Sequence, residues 1–467
     1  MKGHLQALAL ALAAHAPAAV AVSLAHDGSG QVLLFPYYTA NGSQDTLLTI
    51  GNRMDEPQVA RVRFLEGYNG RPVLEFDLYL DRNDIWTAAV TLGEGGHALL
   101  RTADPSCTVP AIPAAGATFS TAEFDGSGSL SADPGPHDAA RTREGLIEVI
   151  AGATLGIGTP THLHITQLAP ACGELPGSMF EDITDRGGAL YGTAAIISVG
   201  EGLYYAYDAV ALRDFSADPL YGPAMDASGP SLADAGGSAA GADAWIDGYG
   251  PLHFDRKIDA VSAVLARYGL HNQYIAAPAL GARTDWIVTF PTQRYYTDPA
   301  VSGSAIALPP FVVPFQAPGV ARVEFAEPRI YDRQGATCLG TYCLYEAPFH
   351  LDHAVNAITF AQPEDVGDPS GVFGSRLVAY LYPYADAGHV LLPDALTRTL
   401  EGEDGGPLQR GRVCVKGLPE IGFLAYNLVN ANAQPGRLAN YGGVYRDHWY
   451  PAEVYARDTP FGTHECL

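Results

Sequence analysis

"DTLLTIGNRMDEPQVARVRFLEGYNGRPVLEFDLYLDRNDIWTAAV", residues 45–90, decides the fold class. Apolar and polar residues alternate through four short runs: Leu48 and Ile50, Val62 and Phe64, then Leu74, Phe76, Leu78 and Leu80, and last residues 85–90. Successive side chains on a strand point to opposite faces, so a period of two gives one inward and one outward face. Turn-forming clusters at 53–57, 68–71 and 81–84 part the runs at roughly ten-residue spacing, as in an antiparallel sandwich. Such a sheet tolerates water on one face. Trp86 is expected in the core.

Just upstream, "GQVLLFPYYT" (30–39) reads as a first strand leaving through an aromatic–proline corner. Proline cannot donate to a sheet ladder and belongs at strand ends or edges. The tyrosines can bury their rings and keep their hydroxyls wet. "VTFPTQRYYT" (288–297) and, more loosely, "AYLYPYA" (379–385) echo this stretch, through duplication of a sandwich or through chance in a chain with 25 Tyr and 34 Pro.

Downstream, 101–143 contains "DGSGSLSADPGPHD" and reads as a loop excursion. "EGLIEVIAGATL" (144–155) and "THLHITQLA" (161–169) return to strands, and 188–212 reads as a hairpin bending at Gly200-Glu201-Gly202. A second break spans 214–250. One helix follows in "FDRKIDAVSAVLARYGL": Asp255 caps it, Ile258, Val261, Leu265 and Tyr268 share a face, and Gly269 ends it. The chain is too long for one ordinary core, so two domains are expected. The expected class is mainly β: two β-sandwich (immunoglobulin-like) domains with one short helix. The expected division is a signal peptide at 1–25, an N-terminal β-sandwich domain at 26–215, a Gly/Ala/Asp-rich linker or insertion at 216–250, and a C-terminal β-rich domain at 251–467.

The leader reading rests on Lys2, the apolar residues 5–12, and small residues before two possible cuts, after Ala21 or after Ala25. Its apolar run is short of the roughly 20 residues a span requires, although a retained anchor is the alternative. No later stretch is apolar enough to cross a bilayer. The expected location is periplasmic, cell-surface or extracellular.

Acids outnumber bases 51 to 27, for a formal net charge of −24. No Lys/Arg stripe exists to displace phosphate counterions, which excludes nucleic acid as the expected partner. Six cysteines suit an oxidising compartment: Cys107, Cys172, Cys338, Cys343, Cys414 and Cys466. Sequence cannot choose among their 15 pairings, but order along the chain suggests 107–172, 338–343 and 414–466.

Candidate chemistry is sparse. In "CLGTYCLYEAPFHLDH", Cys338, Cys343, His350 and His353 offer a thiolate–imidazole shell for zinc, with Asp352 beside them, but the spacing departs from finger patterns. A local disulfide explains the cysteines more simply in an exported chain. His162 and His164 would share one strand face, and "DGSGS" (125–129) offers oxygen ligands without the rest of a calcium loop. G-x-S-x-G, P-loop and H-E-x-x-H motifs are absent, and "GDPSGVFG" (367–374) has the wrong spacing for a nucleophile elbow. No cofactor is expected.

"GQVLLFPYYT", "DTLLTIGN", "ARVRFLEGYN" and "DIWTA" resemble the start of an uncharacterised family of exported proteins from Gram-negative bacteria. "TDWIVTFPTQRYYTD" and "GLPEIGFLAYNLVNANAQPGRLANYGGVY" resemble its later segments. The likeness spans most of the chain beyond the leader. It implies export and, from members labelled surface proteins, a surface location, but no catalytic residues. The Asp-rich loops are longer here than in that pattern. The functional expectation is a non-enzymatic cell-surface or extracellular protein acting through interaction with protein or surface glycan, or through self-assembly. The alternative is a secreted carbohydrate-active or other hydrolase with a site built from distant loops.

Overall fold

A computed structural model of the chain describes residues 20–166, 170–175, 179–221, 229–337, 349–361, 366–393, 395–404, 411–434, 437–456, 458–459, 462–463 and 466. Strands account for 47% and helices for 12%, so the fold is mainly β. The four alternating runs become the antiparallel strands Asp45–Asn52, Gln58–Glu66, Pro72–Leu80 and Ile85–Leu92. They do not lie in one sheet. Gln58–Glu66 and Pro72–Leu80 join a sheet of thirteen described strands, whereas Asp45–Asn52 and Ile85–Leu92 lie in a six-stranded sheet.

Val32–Thr39 is central to the large sheet, paired with Glu144–Leu155 on one side and Val210–Arg213 on the other. All eight of its residues are buried. Strand alternation explains how: Val32 and Leu34 face one core, while Leu33, Phe35 and Tyr37 face a second. The stretch "FPYYT" is therefore no exit corner. Pro36 sits inside the strand, opposite a break in register between Gly145 and Ile147, the kind of irregularity that tolerates a residue without an N–H. Its free carbonyl accepts the Thr289 hydroxyl at 2.7 Å. Nor are the tyrosine hydroxyls wet, because Tyr37 donates to Glu144 and Tyr38 to the Thr142 carbonyl.

The polar side of Gln58–Glu66 is not in water either. Arg61 pairs with Asp77 at 3.3 Å, and Arg63 with Glu148 at 3.1 Å. Arg63 also donates to the carbonyls of Gly229 and Pro230, which cover this face. Charges persist in such a place only when paired and hydrogen-bonded. The 101–143 excursion is similarly tied down. Arg141 bridges Glu66 at 2.8 Å and Asp133 at 2.6 Å, and Arg71 reaches Asp298 at 2.7 Å, all with side chains at most 2% exposed.

Two sheets of the C-terminal part face each other across the first core. One contains Arg329–Asp332, Ala387–Leu392 and Ala266–Ile275, the other Val355–Phe360, Arg283–Thr289, Ile421–Gln434 and Arg437–Arg446. Leu270, Tyr274 and Val390 from the first meet Trp286, Ile358 and Leu424 from the second. The expected division at 216–250 does not interrupt packing. Ala242–Ile246 lies within it and pairs in parallel with Ala21–Leu24, and the second core joins Phe35 and Trp86 to Phe373 and Phe423.

Three local expectations change. The helix runs over Lys257–Leu265 with no side-chain cap, and Ala266–Ile275 continues at once as a strand, placing Tyr268 and Gly269 in the sheet. Strand pairing with Leu418–Pro419 and His448–Pro451 wins there over helical periodicity. His162 and His164 lie on the short helix Pro160–Ile165, begun by Pro160 and capped by Thr159, so they do not share a strand face. Finally, Ala21–Leu24, inside the expected leader, is a strand whose Val22 is 1% exposed. Of the two expected cuts, only that after Ala21 would leave Val22 to Leu24 in place.

Candidate functional site

At the seam between the two halves lies a cleft of about 800 Å³. The six-stranded sheet contributes Thr193, Tyr204, Ala206 and Asp208, the N-terminal segment Leu24 to Gly28, and the C-terminal part Arg267, Glu420, Gly422, Asp447 and Trp449.

Strand junctions place the charged residues. Arg267 follows the helix directly, in the strand that pairs with Leu418–Pro419 and His448–Pro451. Its Nη1 donates to the carbonyls of Val264 and Ala266 at 3.2 and 2.9 Å, and its guanidinium lies 3.8 Å from the centre of the Trp449 ring. Glu420 occupies the break between Leu418–Pro419 and Ile421–Gln434, held by its N–H to the Leu265 carbonyl. Asp447 occupies the break between Arg437–Arg446 and His448–Pro451. Its Oδ1 accepts from Asn272 Nδ2 and Trp286 Nε1, both at 2.8 Å. Gly422 is required beside it, because any Cβ there would collide with the Ile287 carbonyl and crowd Asp447 Oδ2.

Of the seventeen buried side-chain polar atoms without a hydrogen-bond partner among the described residues, three belong to the cleft lining: Arg267 Nε, Glu420 Oε2 and Asp447 Oδ2. Native interiors leave few such atoms, and each calls for an explanation. Burial holds Glu420's carboxyl up at about 7 although Arg267 opposes this. Burial, reinforced by Glu420, raises Asp447 well above the carboxylate range. Two neighbouring acids of this kind retain a proton at neutral pH and titrate as a pair. At the rim, Arg446 and Asp208 form an exposed ion pair at 3.2 Å, and Tyr204 is 62% exposed. Below, Tyr207 stacks on Phe423 with centroids 4.4 Å apart. A proton-holding pair beside aromatic walls can bind a polar ligand, and can also give and take a proton.

The residues singled out from sequence lie elsewhere. Cys338 and Cys343 are outside the described residues. His350 Nε2 lies 3.6 Å from Asp352, whose Oδ1 already accepts from Arg322. His353 packs edge-on against Tyr68, and burial pushes it down to about 4. Among the described residues no group of three or more His, Cys, Asp or Glu is arranged to hold a metal ion. His162 accepts from the Gly158 N–H and lies 3.5 Å from Asp81. Asp125 is satisfied by Thr121 and Ser127. The "GDPSGVFG" loop wraps Asp285, with the N–H groups of Gly371, Val372 and Phe373 donating to its carboxylate. Cys107 is bonded to Cys172, and Cys414 to Cys466. In the sequence, nothing in "GLPEIG" or "YRDHWY" marks an acid pair.

No family model matches the chain, and no curated protein and no solved structure matches it either.

Proposed function

We propose that the protein is exported and acts outside the cytoplasm by recognising a ligand in the seam cleft. The observation that carries this is that Arg267, Glu420 and Asp447, each with a buried polar atom lacking a partner, all line one cleft between the halves. Leaving such atoms unsatisfied costs on the order of 1–3 kcal/mol each, which a ligand or bound water would recover. Two disulfides, a leader-like N-terminus and the likeness to exported Gram-negative proteins support the location. Hydroxyl-radical footprinting with cell-envelope and culture-medium extracts tests the reading. Tyr204 and Trp449 should be protected, while Trp245, 49% exposed and outside the cleft, should not. Equal oxidation of all three with every extract rejects it.

A second reading, hydrolysis, is favoured by the pairing of Glu420 with Asp447. It expects turnover that Glu420→Gln or Asp447→Asn abolishes while protection of Trp449 persists.

A further inference from the structure

We propose that the ligand of the seam cleft is a neutral saccharide, stacked by a C–H face on Trp449 and hydrogen-bonded through its hydroxyls to Asp208 and Asp447. The inference rests on the cleft being the ligand site and names the class it takes.

Trp449 is the deciding residue. It lines the cleft and is 40% exposed, and the guanidinium of Arg267 lies against its ring. A ring already engaged by one cation is a poor seat for a second, because the two like charges would repel across the indole. A sugar's weakly polarised C–H groups carry no such penalty and fit a flat aromatic surface. Arg446 at the rim adds to the bias against a cationic ligand. Anions are disfavoured from the other side by Asp27, Asp208 and the charge left on the proton-sharing Glu420–Asp447 pair, all lining the same cleft. What remains is a ligand without net charge, rich in hydroxyl donors, with an apolar face. Tyr204, also in the cleft lining and exposed, offers a second platform for a neighbouring sugar unit.

The experiment is isothermal titration of the mature protein with neutral oligosaccharides (cello-, malto-, xylo-, manno- and galacto-series), with choline and a hexuronate oligomer as charged probes. One neutral series should bind, with affinity lowered at least about tenfold by Trp449→Ala and largely kept by Trp449→Phe. Tyr204→Ala should weaken longer oligomers more than short ones, and thermal melts of each variant check that the fold is intact. Binding of choline or the hexuronate with protection of Trp449, and no binding of any neutral series, overturns the saccharide assignment and leaves the cleft as a ligand site. Saccharide binding unaffected by Trp449→Ala and Tyr204→Ala places the sugar elsewhere and overturns the proposal. If no probe of either class binds and no extract protects Trp449, both readings fall.

Discussion

Glu420 and His353 pull the pH dependence of stability in opposite directions. Burial lifts Glu420 from an ordinary 4.5 to about 7. Between those values the native state holds more protons than the unfolded chain, so this contribution falls as pH rises and is lost above about 7. Asp447 adds to it with the same sign. His353 is pushed from 6.5 down to about 4, so its contribution is present above 6.5 and is lost as pH falls through about 4. Urea melts from pH 4 to 9 should therefore show a decline approaching pH 7 in the parent that Glu420→Gln flattens. An unchanged slope in that variant would mean the carboxyl is ordinary. The ion pairs separate equally well by burial. Arg141→Ala strands Glu66 and Asp133 in the interior and should cost about 3–5 kcal/mol, whereas Arg213→Ala, facing the exposed Asp27, should cost under about 1. Comparable midpoints for the two would refute that contrast.

At the level of elements, the N-terminal strand matters most for a measurement. Ala21–Leu24 pairs with Ala242–Ile246 and Val210–Arg213 and so bridges two parts of the large sheet. If the leader is removed as proposed, intact mass should place the mature start at Val22, and a chain beginning at His26 should be measurably less stable. A native start at His26 with unchanged stability would show the strand to be dispensable. The four alternating runs between residues 45 and 90 were legible because alternation is local. Their assignment to two sheets was not, since partners such as Ile147 and Ile196 lie far along the chain. The helix end departs from its expected place for the same reason: residues 266–269 carry helical periodicity, but Ala266, Arg267 and Gly269 pair with residues 418–419 and 450–451.

For the whole molecule, the expected two domains meet a structure whose cores ignore the 216–250 boundary. Arg71 and Asn69 bond Asp298, the Arg376 N–H donates to Glu144, and Phe373 packs tilted against Tyr37 and edge-on against Phe423. Residues 26–215 and 251–467 produced separately should each fail to give a cooperative melt, and mixing should not restore one unless they are refolded together. Two independent sigmoidal transitions would show that the halves are autonomous. The sequence by itself determined the mainly β class, because period-two alternation and turn residues are written in neighbouring positions. It also determined the acidic balance and the supply of cysteines. Only the tertiary structure decided which polar faces are covered, as at Arg61 and Arg63, and where Pro36 sits. It alone brought Arg267, Glu420 and Asp447 to one cleft. Each of these depends on burial by chain segments tens to hundreds of residues away, and burial is what turns an ordinary acid or arginine into a site.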